Sequence, residues 1–244
     1  MPLLEVNGVT VEFGGLTALG DVDLDVAAGA ITGLIGPNGA GKTTIFNVIC
    51  GLQPTTRGRV TFDGKDSSGY KPHERARLGI ARTFQRLEVF GSLSARENIL
   101  VAAEIRSRWS DEDVNPRAVT EEILDRIELR KVQDHRVDTM PTGLARLVEL
   151  GRAIATAPKL LLLDEPSSGL GDEETVFFAR ILRELTQEGL GILMVEHDVE
   201  LVMDICERIH VLDFGRKIAA GTPAEIRANE AVQAAYLGAA GDAA

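Results

Sequence analysis

Residues 36–43 read Gly-Pro-Asn-Gly-Ala-Gly-Lys-Thr, a complete G-x-x-x-x-G-K-[ST] phosphate loop. The chemistry of that spacing is anion binding. Gly36, Gly39 and Gly41 can take backbone angles closed to other residues. Their N–H groups, with the positive end of a following helix, can then converge on phosphate oxygens. Lys42 would set a cation on the β- and γ-phosphates, and the Thr43 hydroxyl would hold Mg²⁺. The expected binding segment is Gly36, Pro37, Asn38, Gly39, Ala40, Gly41, Lys42, Thr43 and Thr44.

Binding a triphosphate does not by itself mean cleaving it, and four further features bear on cleavage. The run Leu160–Leu163 ends in Asp164-Glu165. An apolar strand ending in Asp puts a carboxylate near the metal shell. Glu165, one residue on, points to another face and could orient or deprotonate an attacking water. The stretch Val195-Glu196-His197-Asp198 closes another apolar run, where His197 could reach a γ-phosphate or serve structure alone. Gln85 ends Ala81-Arg82-Thr83-Phe84-Gln85, and its neutral amide could touch Mg²⁺ or water. Phe13 follows the first alternating segment and could stack on a base or simply pack in the core.

These residues need a scaffold that brings strand ends together. Segments 3–13 and 20–27 alternate and read as antiparallel strands around a Gly14-Gly15 turn. Ala30–Ile35 is a short buried strand entering the phosphate loop, and Thr44–Leu52 an amphipathic segment leaving it. Gly58–Phe62 and Gly79–Phe84 read as strands. Ser94–Arg108, Arg117–Leu129 and Leu144–Thr156 carry apolar residues at helical spacing. Lys159–Leu163 has the continuous apolar character of a parallel strand buried on both faces. Then come a helix over Glu173–Glu188, a strand over Leu190–Val195 and a helix over Val199–Arg208. A hairpin over Ile209–Ala219 and a last short helix from Pro223 follow.

The expected fold class is α/β: a P-loop NTPase core with a parallel sheet, an N-terminal antiparallel β-subdomain and an inserted helical subdomain. One domain covers 1–244, with core segments about 1–90 and 157–240, helices about 91–156, and a frayed tail over 238–244. The net charge of −11 argues against broad binding to nucleic acid. Cys50 and Cys206 sit in apolar patterns without metal-ligand spacing and read as buried thiols of a reducing compartment. Without a leader or a spanning apolar run, the expected location is cytoplasmic, docked on a membrane if it serves one.

Together these pieces resemble the ATP-binding subunit of an ATP-binding-cassette transporter, in order, over nearly the whole chain. The resemblance implies ATP and Mg²⁺ as cofactors, with Thr43, Gln85 and Asp164 near the metal. It implies that Phe13 lies in the adenine-stacking loop and that Gly36–Thr44 is Walker A. By the same likeness Leu160–Asp164 is Walker B, Glu165 the catalytic glutamate, Gln85 the Q-loop glutamine and His197 the switch histidine. The stretches Gly79–Gln85, Ala95–Val101, Val195–Val199, Ala219–Ile226 and Val232–Gly238 look like the branched-chain amino acid uptake branch, whose relatives also import urea and amides. That branch implies a second ATPase, two transmembrane permease subunits and a solute-binding protein. It also implies a peripheral position on the cytoplasmic face of the inner membrane. Leu87, Val89 and Phe90 fall where the family receives the permease's coupling helix, a pattern that subdomain packing would also give.

Two stretches depart from the family. Its signature loop reads roughly Leu-Ser-Gly-Gly-Gln, whereas this chain has Met140-Pro141-Thr142-Gly143-Leu144. Proline offers no N–H and leucine no polar atom. The loop after Walker B, Ser168-Gly-Leu-Gly171, lacks the usual Asp, although Asp172 follows. In this family two cassettes close head to tail, and each signature faces the partner's nucleotide. Pro141, Thr142, Gly143 and Leu144 would therefore serve the partner's ATP, and a heterodimer with one slow site is expected over a homodimer. An exporter or lipid-trafficking ATPase, or a cassette whose ATP binding is largely regulatory, stays open as an alternative.

Overall fold

The computed structural model describes residues 1–241, with side chains to Tyr236. The chain opens with β1 (Leu4–Phe13), β2 (Leu16–Val26) and β3 (Ile31–Ile35), then α1 (Lys42–Ile49), β4 (Arg57–Phe62) and β5 (Lys65–Asp66). Next come α2 (Pro72–Leu78), β6 (Ile80–Arg82), α3 (Ala95–Ser107), α4 (Pro116–Arg126) and α5 (Thr142–Ala155). It ends with β7 (Leu160–Asp164), α6 (Asp172–Gln187), β8 (Gly191–Val195), α7 (Val199–Ile205), β9 (Arg208–Asp213), β10 (Arg216–Gly221), α8 (Pro223–Arg227) and α9 (Glu230–Gly241).

Two sheets result. An antiparallel sheet has the order β2-β1-β4-β5, and the larger sheet the order β10-β9-β3-β8-β7-β6. Pairing is parallel from β9 to β6, and only β10 runs antiparallel, as the edge partner of β9. The leucine run shows why the parallel strands read as unbroken apolar segments. Leu160 and Leu162 pack with β1, β2 and α1 in one core, while Leu161 and Leu163 pack with α3, α5 and α6 in the other. All four are 0% exposed. Burying a side chain of this size contributes about 1.5–3 kcal/mol, so both faces of β7 are fixed by packing.

The helical segment is anchored by its caps. Ser94 accepts the Glu97 N–H at 3.2 Å while Glu97 accepts the Ser94 N–H at 2.8 Å. Asn98, fully buried one turn on, accepts the Phe90 N–H at 2.9 Å and donates to the Phe90 carbonyl at 3.0 Å. The loop between β6 and α3 is thereby tied to the start of α3.

Several element boundaries differ from the pattern in the sequence. β2 begins at Leu16 rather than at 20, because a two-residue turn suffices to pair Phe13 with Leu16. Helix α2 was not foreseen: it has two arginines and little apolar periodicity, and Glu74 steadies it by accepting the Lys71 N–H at 2.7 Å. Helix α7 stops at Ile205, where Cys206 turns extended, and Arg208 opens β9. A further helix, α9, follows α8 and continues through Gly241, so the tail expected to fray from 238 begins inside a helix. Residues 242–244 of that tail lie outside the described residues.

Candidate functional site

The phosphate loop joins the end of β3 to the start of α1 in the middle of the larger sheet. Strand β3 is flanked by β8 and β9, so the loop emerges at the carboxyl ends of parallel strands, the usual ligand position in such sheets. Two glycines are dictated by close approach. A Cβ on Gly36 would lie 2.1 Å from the Leu212 carbonyl, and one on Gly41, at φ 101°, would lie 2.6 Å from Leu19 Cδ2. Lys42 Nζ donates to the Gly36 carbonyl at 2.6 Å and the Pro37 carbonyl at 3.0 Å. An ammonium has three donors, so one remains for a phosphate. Burial holds the Lys42 pKa below its ordinary value, and Glu165 and Asp164 oppose that shift.

Beside the loop is a cavity of about 600 Å³ lined by residues Asn38 to Thr44, Gln85, Asp164, Glu165 and His197. Residues far apart in sequence thus reach one space from the ends of β6, β7 and β8. Glu165 has φ 50° and donates its N–H to the Val195 carbonyl at 2.8 Å. Its carboxylate is held on both sides. Gln85 Nε2 donates to Oε2 at 2.9 Å, and His197 Nε2 lies 2.8 Å from Oε1. Asp164 is buried and paired with Arg82, Nη2 to Oδ2 at 2.8 Å.

Phe13 and the first loop residues are placed differently. Phe13 is exposed at the end of β1 and does not line the cavity, whereas its ladder partner Leu16 does. The aromatic ring at the cavity lip belongs to Phe214 of the β9–β10 turn, 88% exposed. Gly36 and Pro37 form the base of the loop behind the lining.

Sequence reasoning missed the residues that hold these groups. Glu196 is buried beside His197, accepting the Ser167 N–H at 2.7 Å and the His197 N–H at 3.1 Å. It fixes the turn after Glu165 and the backbone of the histidine together. A second pair sits in α5. Arg146 donates to the Phe84 carbonyl at 3.0 Å and the Gln85 carbonyl at 2.7 Å. Glu149 accepts the Phe84 and Glu88 N–H groups at 3.4 and 3.2 Å and lies 3.1 Å from Arg146. The available signal was two charges three residues apart on an otherwise apolar helix face, which implies a buried pair.

The signature segment forms the start of the same helix. Pro141 is the α5 N-cap, and no side chain caps that end among the described residues. Pro141 and Thr142 are exposed, Gly143 is buried and Leu144 half-buried. Glu174 of α6 packs so closely over Gly143 that a Cβ there would meet its Oε1 at 2.1 Å. Asp172 is the first residue of α6, and the Gly171 N–H ahead of it is taken by Glu174 at 2.9 Å. Gly143 and Leu144 line a separate cavity of about 250 Å³, away from the phosphate loop.

A third cavity, about 650 Å³, lies between α2, β6, α3 and α5 and is lined by Phe84, Val89, Phe90, Trp109 and Arg152 among others. Arg152 stacks over Phe90, 4.6 Å from the ring centroid. Of the three residues expected at a partner groove, Val89 and Phe90 line it and Leu87 packs against the core instead.

Comparison with known proteins follows the same lines. Residues 19–168 match the family described as ABC transporter. Residues 216–242 match the branched-chain amino acid ATP-binding cassette transporter family. The chain is 38% identical to the high-affinity branched-chain amino acid transport ATP-binding protein LivG of Salmonella typhimurium, covering 97% of this chain and 98% of that protein. It is 37% identical to BraF of Pseudomonas aeruginosa, of the same description, with the same coverage. It is also 36% identical to the lipopolysaccharide export system ATP-binding protein LptB of Escherichia coli, with 98% of each chain covered. Among solved structures, the ADP conformation of an ATP-binding cassette superposes with a TM-score of 0.87 at 29% identity, covering 98% of this chain and 99% of that one. A nucleotide-free cassette superposes with a TM-score of 0.86, also at 29% identity, covering 97% and 99%.

Proposed function

The chain belongs to the ATP-binding-cassette family of transporter ATPases, and from that premise we propose that it drives uptake of branched-chain amino acids or a related small polar solute. The match at 216–242 and the two amino-acid transport relatives support the choice of solute. Among the described residues no helix is long and apolar enough to cross a membrane. The proposed assembly is peripheral, with this chain and a second cassette under two permease subunits on the cytoplasmic face, and a solute-binding protein outside.

The observation that carries the chemistry is the double hold on Glu165. Both of its oxygens are engaged, by Gln85 and by His197. Each carboxylate oxygen keeps a second lone pair, so a carboxylate oriented in this way can still take a proton from a water placed beside it. Gln85 and His197 thus orient the Glu165 carboxylate in the cavity beside Lys42, where an entering triphosphate would bring the attacking water. Thr43, Gln85 and Asp164 offer a hydroxyl, an amide and a carboxylate on one cavity wall, a hard oxygen set suited to Mg²⁺. Bound Mg²⁺ would neutralise phosphate charge. Lys42 and the loop amides orient the phosphates, Glu165 takes the proton, and His197 contacts the terminal phosphate. Calorimetry with ATP and Mg²⁺ tests the premise: Lys42→Ala should weaken binding at least tenfold, and an unchanged affinity would refute the assignment.

The signature supports an asymmetric pair. Pro141 removes one donor, Leu144 another, and the Glu174 carboxylate beside Gly143 adds negative charge where a partner's phosphate would come. Losing such donors costs roughly 10²–10³ in rate. The site formed with this chain's signature should then be slow and the other fast. Turnover of the chain alone, before and after Pro141→Ser with Leu144→Gln, decides. An unchanged rate in a closed homodimer would defeat the heterodimer reading.

A second reading is export, because LptB is nearly as similar as the importers. Reconstitution with the cognate permeases separates the two. ATP-driven accumulation of labelled leucine or a related solute supports uptake, and outward extraction of lipid supports export.

A further inference from the structure

Two of the cavities described above are linked by one ion pair. Arg82 lines the groove with Phe84 and Phe90, while Asp164 lines the nucleotide cavity. The two are joined by the 2.8 Å ion pair, and each side chain is 7% exposed. Arg82 Nη1 donates to Asn47 Oδ1 at 2.6 Å, on the helix that begins at Lys42. The guanidinium lies between two rings, 5.3 Å from the Phe46 centroid and 4.9 Å from that of Phe84. Phe46 is buried in the core, whereas Phe84 is 40% exposed to the groove. A planar cation held by stacking and a fork of donors cannot be replaced by any other residue type without loss of one contact.

We infer that Arg82 is a positioning residue that serves as the resident counter-charge of Asp164 and sets how strongly nucleotide binding depends on a divalent cation. The inference rests on the magnesium–ATP reading given above. Without Arg82 the Asp164 carboxylate would face the triphosphate uncompensated. In a partly buried site a unit charge a few ångströms away is felt strongly. A divalent cation bound with the nucleotide would restore the balance, but metal-free ATP would meet a bare anion. Phe84 gives the groove a handle on this charge. Whatever presses on its ring shifts the stacked guanidinium, and with it the partner of Asp164.

The test is the ratio of ATP affinities with Mg²⁺ and with EDTA, measured by calorimetry on the purified chain. In Arg82→Gln the ratio should rise about tenfold, because metal-free binding suffers more. In Arg82→Lys, which loses the fork and the stacking but keeps a positive charge beside Asp164, both affinities should fall together and the ratio should stay within about twofold of the parent. Phe84→Ala should move it in the same direction as Arg82→Gln, by less. Equal loss of affinity under both conditions in Arg82→Gln would mean that Arg82 only packs, and would overturn the inference. So would a rise in Arg82→Lys as large as in Arg82→Gln. If Arg82→Gln does not fold, the other two variants decide: a raised ratio in Arg82→Lys with none in Phe84→Ala overturns it. A parent chain without any magnesium-dependent ATP affinity would instead remove the reading on which it rests.

Discussion

At the scale of single residues, Glu165 is the proposed base. It stands in a left-handed backbone conformation with both oxygens occupied. We expect Glu165→Gln to bind ATP as the parent does and to lose about 10²–10⁴ in turnover, the range of a single general base. Phosphate release and calorimetry on the same preparation check both halves, and a parental rate would show that another group takes the proton. Glu165, Gln85 and His197 stood out in the sequence by their places at segment ends, and the structure brings all three to one cavity. Arg82 and Glu196 did not. Arg82 stands three residues from Gln85 and Glu196 one from His197, but only folding shows that Arg82 turns toward Asp164 and Glu196 toward Ser167.

At the scale of elements, α5 joins the signature segment to the loop that carries Gln85. Its Arg146 and Glu149 side chains are 7% and 6% exposed and hold the backbone from Phe84 to Glu88. Removing one partner of a buried pair leaves the other charge uncompensated, which costs about 3–5 kcal/mol. Glu149→Ala should lower the urea-unfolding free energy by that amount. Replacing both, Arg146→Met with Glu149→Leu, should restore much of the stability, yet turnover should remain low because Gln85 has lost its support. Stability and turnover recovering together would show that the pair serves packing alone. The helix itself was visible in the sequence as an apolar periodicity over Leu144–Thr156. The structure starts it at Thr142, placing Pro141 at the cap. Helix α2 escaped notice for the opposite reason: its arginines and histidine carry no apolar stripe, and its place is set by Arg75, which reaches the Val48 and Ile49 carbonyls at 2.6 and 2.8 Å.

At the scale of the molecule, β2 of the smaller sheet meets β10 and β8 of the larger, and His210 of β9 reaches β2 at Asp25. His210 is 1% exposed, with Nε2 3.1 Å from the Asp25 carbonyl and Nδ1 without a partner among the described residues. Burial pushes its pKa below the ordinary 6.5, with Arg208 and Lys217 acting the same way and Asp25 opposing. The folded chain therefore keeps the ring neutral where the unfolded chain takes up a proton. Stability from this group is complete above about pH 6.5 and is lost as pH falls toward the depressed folded value. The thermal midpoint should drop between about pH 7.5 and about pH 5.5, and His210→Gln should flatten that drop; an equally steep profile in the variant would exclude His210 as the cause. The sequence by itself determined the phosphate loop, the acids after the leucine run, the order of the motifs and hence the family, because each depends on residues adjacent in the chain. Tertiary structure alone decided which carboxylate is held by which neighbour, that Leu16 and Phe214 rather than Phe13 border the phosphate-loop cavity, and that Arg82 of the groove is paired with Asp164 of that cavity. Those relations join residues tens of positions apart, as far as the 80 between Gln85 and Glu165, and spacing along a chain carries no record of them until the sheet has set its strand order.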